Sequence, residues 1–178
     1  MSAQNIFLVG PMGAGKTTVG KRLASVLGLS FVDSDHEVEA RTGVDIAYIF
    51  EREGEAGFRQ RETQALEELT QRQGIVLATG GGVVLSPQNR AWLRQRGFVV
   101  YLCATVEQQV VRTRRSTHRP LLRTGNRREV LEKLFAHRDP LYREVAHCVV
   151  ASEGRNARQI AKKIVEQYRQ AEAPHASA

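Results

Sequence analysis

The chain has 178 residues, of which 42% are hydrophobic and 25% charged, values typical of one globular domain with a sizeable core. No run approaches the roughly 18 consecutive apolar residues of a membrane-spanning helix, so we expect no membrane partner. The first predicted strand begins at about residue 5, and we expect no cleaved leader before it. Cys103 and Cys148 each lie in an apolar run, which favours buried thiols in the cytoplasm over a disulfide or a metal site.

The net charge of +7 is unevenly distributed along the chain. Residues 1–89 carry 8 basic and 11 acidic side chains, whereas residues 90–178 carry 18 basic and 8 acidic ones. Arginine accounts for 21 of the 26 basic residues, which indicates bidentate recognition of phosphate or carboxylate groups. A nucleic-acid-binding surface is the competing explanation.

A phosphate-binding loop is predicted between the first strand and the first helix. Ile6–Val9 is a short apolar run suited to a buried strand, and residues 10–17 match the pattern G-x-x-x-x-G-K-[ST]. Apolar residues then recur at helical spacing from Val19 onward. Glycines let backbone N–H groups curl around phosphate oxygens at a helix N-terminus. Lys16 can then reach the β- and γ-phosphates of a nucleotide, and the Thr17 hydroxyl can hold Mg²⁺.

Two carboxylates follow the second predicted strand, which runs over residues 29–35 and ends in Asp33 and Asp35. Ligands bind at the carboxyl ends of strands in open parallel sheets, so both carboxylates belong near the phosphate loop. Alternation along a strand would point both side chains the same way. One can then serve Mg²⁺, directly or through water, and the other a substrate hydroxyl. The alternative is a helix N-cap, with Ser34 or Asp35 opening the next helix.

The segment from residue 36 to residue 73 reads as helices with apolar faces, broken by glycines. The expected breaks are Gly43, Gly54 and Gly57. Within this segment Arg59 follows Phe58. An arginine beside a buried phenylalanine can face a pocket, but it can equally be a solvated helix residue.

Three consecutive glycines follow the third predicted strand, which covers residues 74–79. Gly80, Gly81 and Gly82 suit either a tight turn or a close approach of the backbone to a ligand, and the strand-end location favours the ligand. A helix is predicted from Pro87, a fourth strand over residues 98–102, and another helix from Val106.

Residues 112–128 form a basic stretch without any acidic residue. Its arginines are Arg112, Arg114, Arg115, Arg119, Arg123, Arg127 and Arg128. Pro120, Gly125 and Asn126 argue against a long regular element. Such a segment within a nucleotide-binding domain is typical of a mobile lid that closes arginines over phosphates. The alternatives are a solvated basic loop and a nucleic-acid contact. A nucleic-acid contact normally interleaves aromatic residues or carries a reading motif, and this stretch has neither, so we expect no nucleic-acid partner.

The C-terminal third completes a single domain. A helix interrupted near Pro140 is predicted over residues 129–145, a fifth strand over 147–150 and a closing helix over 156–168. Residues 171–178 lack periodicity and are expected to form a disordered tail, which assigns residues 1–170 to one domain.

Six motifs in this order resemble the shikimate kinase family. They are residues 10–17, Asp33-Ser34-Asp35, Phe58-Arg59, Gly80-Gly81-Gly82, residues 119–122 and residues 140–146. The resemblance covers residues 5–168. It implies a three-layer α/β P-loop fold of the nucleoside-monophosphate-kinase-like branch, with a five-stranded parallel sheet in the order 2-3-1-4-5, flanking helices and a mobile lid over about 112–125. The implied reaction transfers the γ-phosphoryl group of ATP to the 3-hydroxyl of shikimate, in the route to chorismate and the aromatic amino acids.

The resemblance also implies roles for individual residues. Its shikimate ligands correspond to Asp35, Arg59, Gly81 and Arg138. Its ATP-binding set corresponds to Gly13, Ala14, Gly15, Lys16, Thr17, Thr18, Arg112, Arg119 and Arg155. Lys16, Asp35 and Arg119 are the implied catalytic residues, with Asp35 either orienting the attacking hydroxyl or acting as its general base. Thr17 would bind Mg²⁺ directly and Asp33 through water. Some relatives have a proline where this chain has Asn156-Ala157, which leaves details of the adenine pocket open.

Other functions remain to be distinguished from this one. The nearest is a kinase of another small hydroxy acid, such as gluconate. A nucleoside monophosphate kinase lacks support because the acceptor region shows no base pocket. A regulatory or nucleic-acid-binding relative that binds ATP without this chemistry is the alternative from a different class. We expect a monomer in the cytoplasm whose partners are ATP and shikimate.

Overall fold

Five parallel strands form the central sheet of this chain. A computed structural model describes residues 5–116, 119–123 and 125–173. The strands are β1 (Ile6–Val9), β2 (Ser30–Asp33), β3 (Ile75–Ala78), β4 (Phe98–Cys103) and β5 (Cys148–Ala151). They pair in the order β2-β3-β1-β4-β5, which confirms the order implied by the resemblance. β1 lies between β3 and β4, so both of its edges are paired, and the helices that pack on the sheet cover both of its faces, which accounts for its uninterrupted apolar sequence.

Seven α-helices occur within the described residues. They are α1 (Lys16–Leu27), α2 (Ser34–Thr42), α3 (Ile46–Leu69), α4 (Pro87–Arg96), α5 (Val106–Thr113), α6 (Arg127–Val145) and α7 (Ala157–Glu172). Two short 3-10 turns lie at Val83–Leu85 and Pro120–Leu122. Among the described helices, none combines the length and the apolar character needed to cross a membrane.

The helices cover both faces of the sheet and give the molecule three layers. Ile6 and Leu8 of β1 belong to a core that includes residues of α1 and α7, such as Leu23 and Ile164. The alternate residues of β1 belong to a second core with residues of α3, α4 and α6. A smaller apolar cluster lies between α2 and α3. The carboxyl edge of the sheet stays free of these layers, and the functional groups gather there.

Two helix predictions, a break at Gly57 and an interruption near Pro140, differ from the structure. Gly54 leaves helical geometry (φ 70°, ψ −177°) and kinks α3, whereas Gly57 is helical and causes no break. The expected interruption near Pro140 is wrong, since α6 runs continuously from Arg127 to Val145. A proline removes one backbone hydrogen bond, but the buried face of α6 packs along the helix on both sides of that position.

Parts of the expected lid and tail are helical. Residues 112 and 113 of the expected lid belong to α5, and residues 127 and 128 of the basic stretch belong to α6. Helix α7 continues to Glu172, two residues into the segment expected as a tail. The remaining tail residues 174–178, together with residues 117, 118 and 124 of the lid, lie outside the described residues.

Candidate active site

The phosphate-binding loop connects β1 to α1 and has its lysine folded back onto it. Gly15 precedes α1 with φ 90°, a left-handed conformation that glycine adopts without strain. Nζ of Lys16 donates to the carbonyl oxygens of Gly10 and Pro11, at 2.7 and 2.9 Å. Burial, together with the charge of Arg119, lowers the pKa of Lys16 to about 8. An anionic ligand in this loop would therefore stabilise the charged lysine.

Thr17 and Asp33 bring two oxygen ligands together beside the loop. Oγ1 of Thr17 donates to Oδ2 of Asp33 at 3.1 Å. The other carboxylate oxygen of Asp33 accepts the N–H groups of Asp35 and His36, at 3.0 and 3.3 Å, and so caps α2. The prediction that Asp33 and Asp35 align through strand alternation is wrong, because β2 ends at Asp33 and Asp35 lies in α2. Hard oxygen ligands of this kind fit Mg²⁺.

Asp35 presents a buried carboxyl group with spare hydrogen-bonding capacity. Its Oδ1 is buried, and no described residue donates to it. Burial, together with the charges of Glu62 and Asp33, raises the pKa of Asp35 to about 7 against the opposing charge of Lys16. A carboxyl group that titrates near neutrality and lacks a donor is suited to accept a proton from a bound hydroxyl.

Arg59 is held in place by two glutamates of its own helix. Glu62 is 1% exposed, and its Oε2 accepts from Nη1 of Arg59 at 2.7 Å. Oε1 of Glu55 accepts from Nε and Nη2 of Arg59, at 3.3 and 3.1 Å. Burial raises the pKa of Glu62, while the charge of Arg59 lowers it. Sequence reasoning missed Glu62, although an acid three residues after an arginine on one helix face was an available signal.

The three glycines after β3 leave room for charged side chains. A Cβ atom on Gly82 would lie 2.3 Å from the guanidinium of Arg59. A Cβ atom on Gly80 would lie 2.7 Å from Oε1 of Glu62 and 2.8 Å from Oδ1 of Asp35. The glycines therefore form a turn into the following 3-10 segment and also admit the arginine and both carboxylates to the same space.

Arg138 is a buried cation whose hydrogen bonds are incomplete. It lies on α6 with 5% of its surface exposed, and its Nε has no hydrogen-bond partner among the described residues. Arg138 makes no ion pair within the part of the chain that the structure describes. Burial raises the pKa of Glu62 and the charge of Arg138 lowers it, but the unused Nε donor of Arg138 still indicates an anionic ligand at this position.

Two adjoining pockets result from these placements. The first, here called the acid pocket, has the charged residues Arg59, Glu62 and Arg138 and an apolar wall of Ile46, Phe50 and Phe58. The second, the phosphate pocket, is lined by Gly13, Gly15, Lys16, Thr17, Thr18 and Arg112 among others. The residues that line both pockets are Met12, Asp35, Gly80, Gly81 and Arg119.

The shared wall determines what the site can do. Asp35 and Arg119 lie where the two pockets meet. A chemical group can therefore be transferred from a ligand in one pocket to a ligand in the other. One pocket suits a small anion with hydroxyl groups, and the other suits a polyphosphate. This arrangement fits phosphoryl transfer between two bound substrates. Met12 was not identified from the sequence because an apolar residue in a glycine-rich loop carries no chemical signal of its own.

Of the other residues predicted to bind ATP, some line the phosphate pocket and others lie outside it. Arg112 donates to the carbonyl of Gly13 at 2.7 Å, and Nε of Arg119 is buried without a described partner. Arg155 is exposed, donates to the carbonyl of Ala151 at 3.0 Å and lines neither pocket. Ala14 is buried beneath the loop as part of the core. Arg112 and Arg119 therefore join the phosphate pocket, whereas Arg155 does not.

Comparisons with known proteins agree on one family. The family model described as shikimate kinase matches residues 12–169. The shikimate kinase of Halorhodospira halophila is 58% identical over 161 residues, covering 90% of this chain and 91% of that protein. The structure of the Acinetobacter baumannii shikimate kinase in complex with shikimate is 54% identical, with a TM-score of 0.92, over 94% of this chain and 93% of that one.

A more distant likeness bears on the gluconate alternative. A gluconokinase from Sinorhizobium meliloti superposes with a TM-score of 0.60 at 16% identity, covering 99% of this chain and 98% of that one. Similarity at this level shows a common fold and carries no information on the substrate.

Proposed function

The chain belongs to the shikimate kinase family, and on that premise we propose which residues bind its substrates and catalyse its reaction. The protein is a shikimate kinase, which transfers the γ-phosphoryl group of ATP to the 3-hydroxyl of shikimate and yields shikimate 3-phosphate and ADP. The reaction serves the route to chorismate and the aromatic amino acids.

Shikimate occupies the acid pocket in this proposal, with its carboxylate toward Arg59 and Arg138 and the backbone of Gly81. The guanidinium of Arg138, which has an unused donor at Nε and forms no ion pair within the described residues, supports this orientation, because a substrate carboxylate would accept from it. Glu62 holds the guanidinium of Arg59 in the pocket. The 3-hydroxyl then points to the junction of the pockets, where Asp35 accepts its hydrogen bond.

ATP occupies the phosphate pocket, with its phosphates on the backbone of residues 13–18. Lys16 leaves the carbonyls of Gly10 and Pro11 and contacts the β- and γ-phosphates. Arg119 approaches the transferred group from the lid segment, and Arg112 stays at the nucleotide side. Thr17 and Asp33 would hold Mg²⁺, Asp33 through water. When bound, Mg²⁺ neutralises charge that develops on the phosphate oxygens.

The chemical step needs a base for the hydroxyl proton and cationic groups that stabilise the negative charge on the phosphate oxygens. Asp35 takes the proton of the 3-hydroxyl as the hydroxyl oxygen forms its bond to the γ-phosphorus. The bond from that phosphorus to the bridging oxygen breaks, and ADP leaves with the electron pair. Lys16 and Arg119 stabilise the charge on the departing and transferred oxygens. The main support for this proposal is that Asp35 and Arg119 line both pockets.

Several further properties belong to the proposal. The protein acts as a monomer in this proposal. Residues 1–170 act as one domain, with the segment 112–125 as the lid. Dependence on ATP and the role in amino-acid biosynthesis support a cytoplasmic location, with small-molecule partners rather than nucleic acid or a membrane.

The substrate assignment is tested by ADP release in a coupled assay. Shikimate, gluconate, AMP and single-stranded DNA are added separately to the protein with ATP and Mg²⁺. We expect shikimate alone to accelerate ADP release well above the rate without an acceptor. A larger acceleration by gluconate would overturn the choice of substrate, and equal rates with all additives would overturn phosphoryl transfer to a small acid.

A further inference from the structure

The hydroxyl of Tyr142 lies beside the three-glycine turn and has no part in the reaction described above. Tyr142 is 1% exposed and lies on α6, one turn after Arg138. Its hydroxyl donates a hydrogen bond to the carbonyl oxygen of Gly81. Nη1 of Arg138 and the Tyr142 hydroxyl oxygen each lie 3.5 Å from the position that a Cβ atom on Gly81 would occupy. The two side chains therefore flank the same glycine.

The three-glycine turn depends on such a contact because glycines have no side chains that could fix its conformation by packing. Glycine backbones lose more conformational freedom on ordering than other residues do. The charged groups around Gly80 and Gly82 exclude larger residues there. At its start, the turn is anchored by the N–H of Gly80, which donates to Oγ of Ser34 at 3.0 Å. At Gly81, Tyr142 supplies the one hydrogen bond made by any described residue.

The direction of this hydrogen bond matters for the acid pocket. The C=O and N–H groups of a trans peptide point in opposite directions, so the N–H of Gly82 points away from Tyr142. No described residue accepts from the N–H of Gly81 or Gly82, and both glycines line the acid pocket. A flipped peptide would instead turn the Gly81 carbonyl oxygen toward an incoming carboxylate, and the two would repel each other.

We propose that Tyr142 is a positioning residue for shikimate, whose hydroxyl holds the Gly81 carbonyl out of the acid pocket and keeps the turn and Arg138 arranged for the substrate carboxylate. This inference rests on the carboxylate site proposed above. Burial raises the pKa of Tyr142 to about 12, although the charge of Arg138 opposes this, so the phenol stays protonated and remains a donor at physiological pH.

A neighbouring tyrosine provides a matched control. The rings of Tyr101 and Tyr142 are 5.0 Å apart, and both hydroxyls donate hydrogen bonds. The hydroxyl of Tyr101 bonds to Oδ1 of Asp139 at 2.6 Å, and neither of these residues lines the acid pocket. Tyr142→Phe and Tyr101→Phe thus each remove one buried hydroxyl from the same aromatic pair, but only the first removes a contact with the turn.

The test measures shikimate and ATP KM for both variants, together with the shikimate Kd by calorimetry. For Tyr142→Phe we expect the shikimate KM and Kd to rise about tenfold while the ATP KM stays within about twofold of the wild type. For Tyr101→Phe we expect both KM values to stay within about twofold of the wild type. This should hold even if the melting temperature of Tyr101→Phe falls as much as that of Tyr142→Phe. The methyl ester of shikimate should bind the wild type and Tyr142→Phe about equally weakly, since the positioned groups serve the charged carboxylate.

Three results would overturn the role of Tyr142. These are an unchanged shikimate KM in Tyr142→Phe, an equal rise of both KM values in the two variants, and failure of Tyr142→Phe to fold. Arg138→Ala separates this inference from the site on which it rests. If Arg138→Ala loses shikimate affinity and Tyr142→Phe does not, only the inference fails. If Arg138→Ala also binds shikimate normally, the carboxylate site itself is wrong.

Discussion

At the scale of single residues, the site is made of charged groups whose partners are incomplete. Asp35 and Glu62 each have a buried carboxyl oxygen without a described donor, and Arg119 and Arg138 each have a buried Nε without a described acceptor. Leaving such groups unsatisfied destabilises the free protein by about 1–3 kcal/mol each. Their concentration around one cleft is what a site for a charged, hydroxylated substrate requires, because the ligand supplies the missing partners.

The raised pKa of Asp35 predicts a pH dependence. Because its pKa is about 7, kcat/KM should fall about tenfold per pH unit as the pH drops below 7, where the base becomes protonated. Asp35→Asn should lose most activity at every pH and still bind ATP. The measurement is a profile of kcat/KM from about pH 5.5 to 9, with ATP affinity determined by fluorescence titration.

The stability of the folded protein should depend on pH in the opposite direction from kcat/KM. The pKa of the Asp35 carboxyl group is higher in the folded protein than its ordinary value of 3.8, so the contribution of this group to stability is complete below about pH 4 and is lost as the pH rises through 7. Asp35→Asn should therefore melt at a higher temperature than the wild type at pH 8. A variant with normal turnover, or a flat wild-type profile across pH 7, would remove Asp35 from the role of base.

Arg59 and Arg138 are expected to determine shikimate affinity. A charge-assisted hydrogen bond contributes about 1.5–3 kcal/mol, so alanine at either position should raise the shikimate KM about tenfold or more. Lysine should not restore it, since a point charge cannot reproduce the planar guanidinium fork. Steady-state kinetics against both substrates provide the measurement, and the ATP KM should change much less.

Arg61 offers a control for these substitutions. It lies on the same helix as Arg59 but pairs with Glu53 at the surface and lines neither pocket. Arg61→Ala should leave both KM values unchanged. Wild-type shikimate KM in the Arg59 and Arg138 variants would contradict the carboxylate site.

At the scale of elements, helix ends and turns bring the reactive groups to the carboxyl edge of the sheet. The N-terminus of α1 forms the phosphate loop, and the N-cap of α2 turns Asp33 toward Thr17. The kink of α3 at Gly54 precedes the helical turn that carries Arg59. A continuous α6 places Arg138 and Tyr142 on one face, four residues apart. Each element contributes one or two groups, so the site depends on how the elements pack.

The segment from residue 112 to residue 125 is expected to act as a lid. Hydrogen exchange should slow in its loop, beyond the end of α5, when nucleotide and shikimate are both bound, because Arg119 then contacts the phosphates. Arg119→Ala should reduce kcat about a hundredfold or more and change the melting temperature little. Arg123→Ala is the control, since it removes an exposed arginine of the same segment. Equal exchange with and without ligands would argue against a lid.

At the scale of the whole molecule, the order of the strands in one sheet brings the residues of the proposed site together. The strands β1, β2 and β3 all end at the cleft, so their order in the sheet brings the phosphate loop, the aspartates and the glycine turn side by side. For the proposed monomer, sedimentation should give the mass of one chain, and specific activity should not depend on protein concentration. A stable dimer, or activity that falls on dilution, would contradict the proposed monomer.

Much of this site could be predicted from the sequence because its motifs are local. The phosphate loop depends on glycines, a lysine and a threonine at fixed spacing, and the strand order followed from the family that six such motifs resemble. The structure of that loop and the sheet order match those predictions. The identities of Asp35, Arg59 and Arg138 as site residues were also assigned from motifs, and the structure brings all three to one pocket.

Only the tertiary structure decided how these residues are held and charged. Local patterns specify backbone geometry, whereas burial and the pKa of a group depend on residues distant in sequence. The buried pair of Arg59 and Glu62 beside Gly82, the cap that separates Asp33 from Asp35 and the position of Arg155 outside both pockets arise from packing between elements. The continuity of α6 through Pro140 has the same origin, since contacts along its buried face offset the local cost of proline.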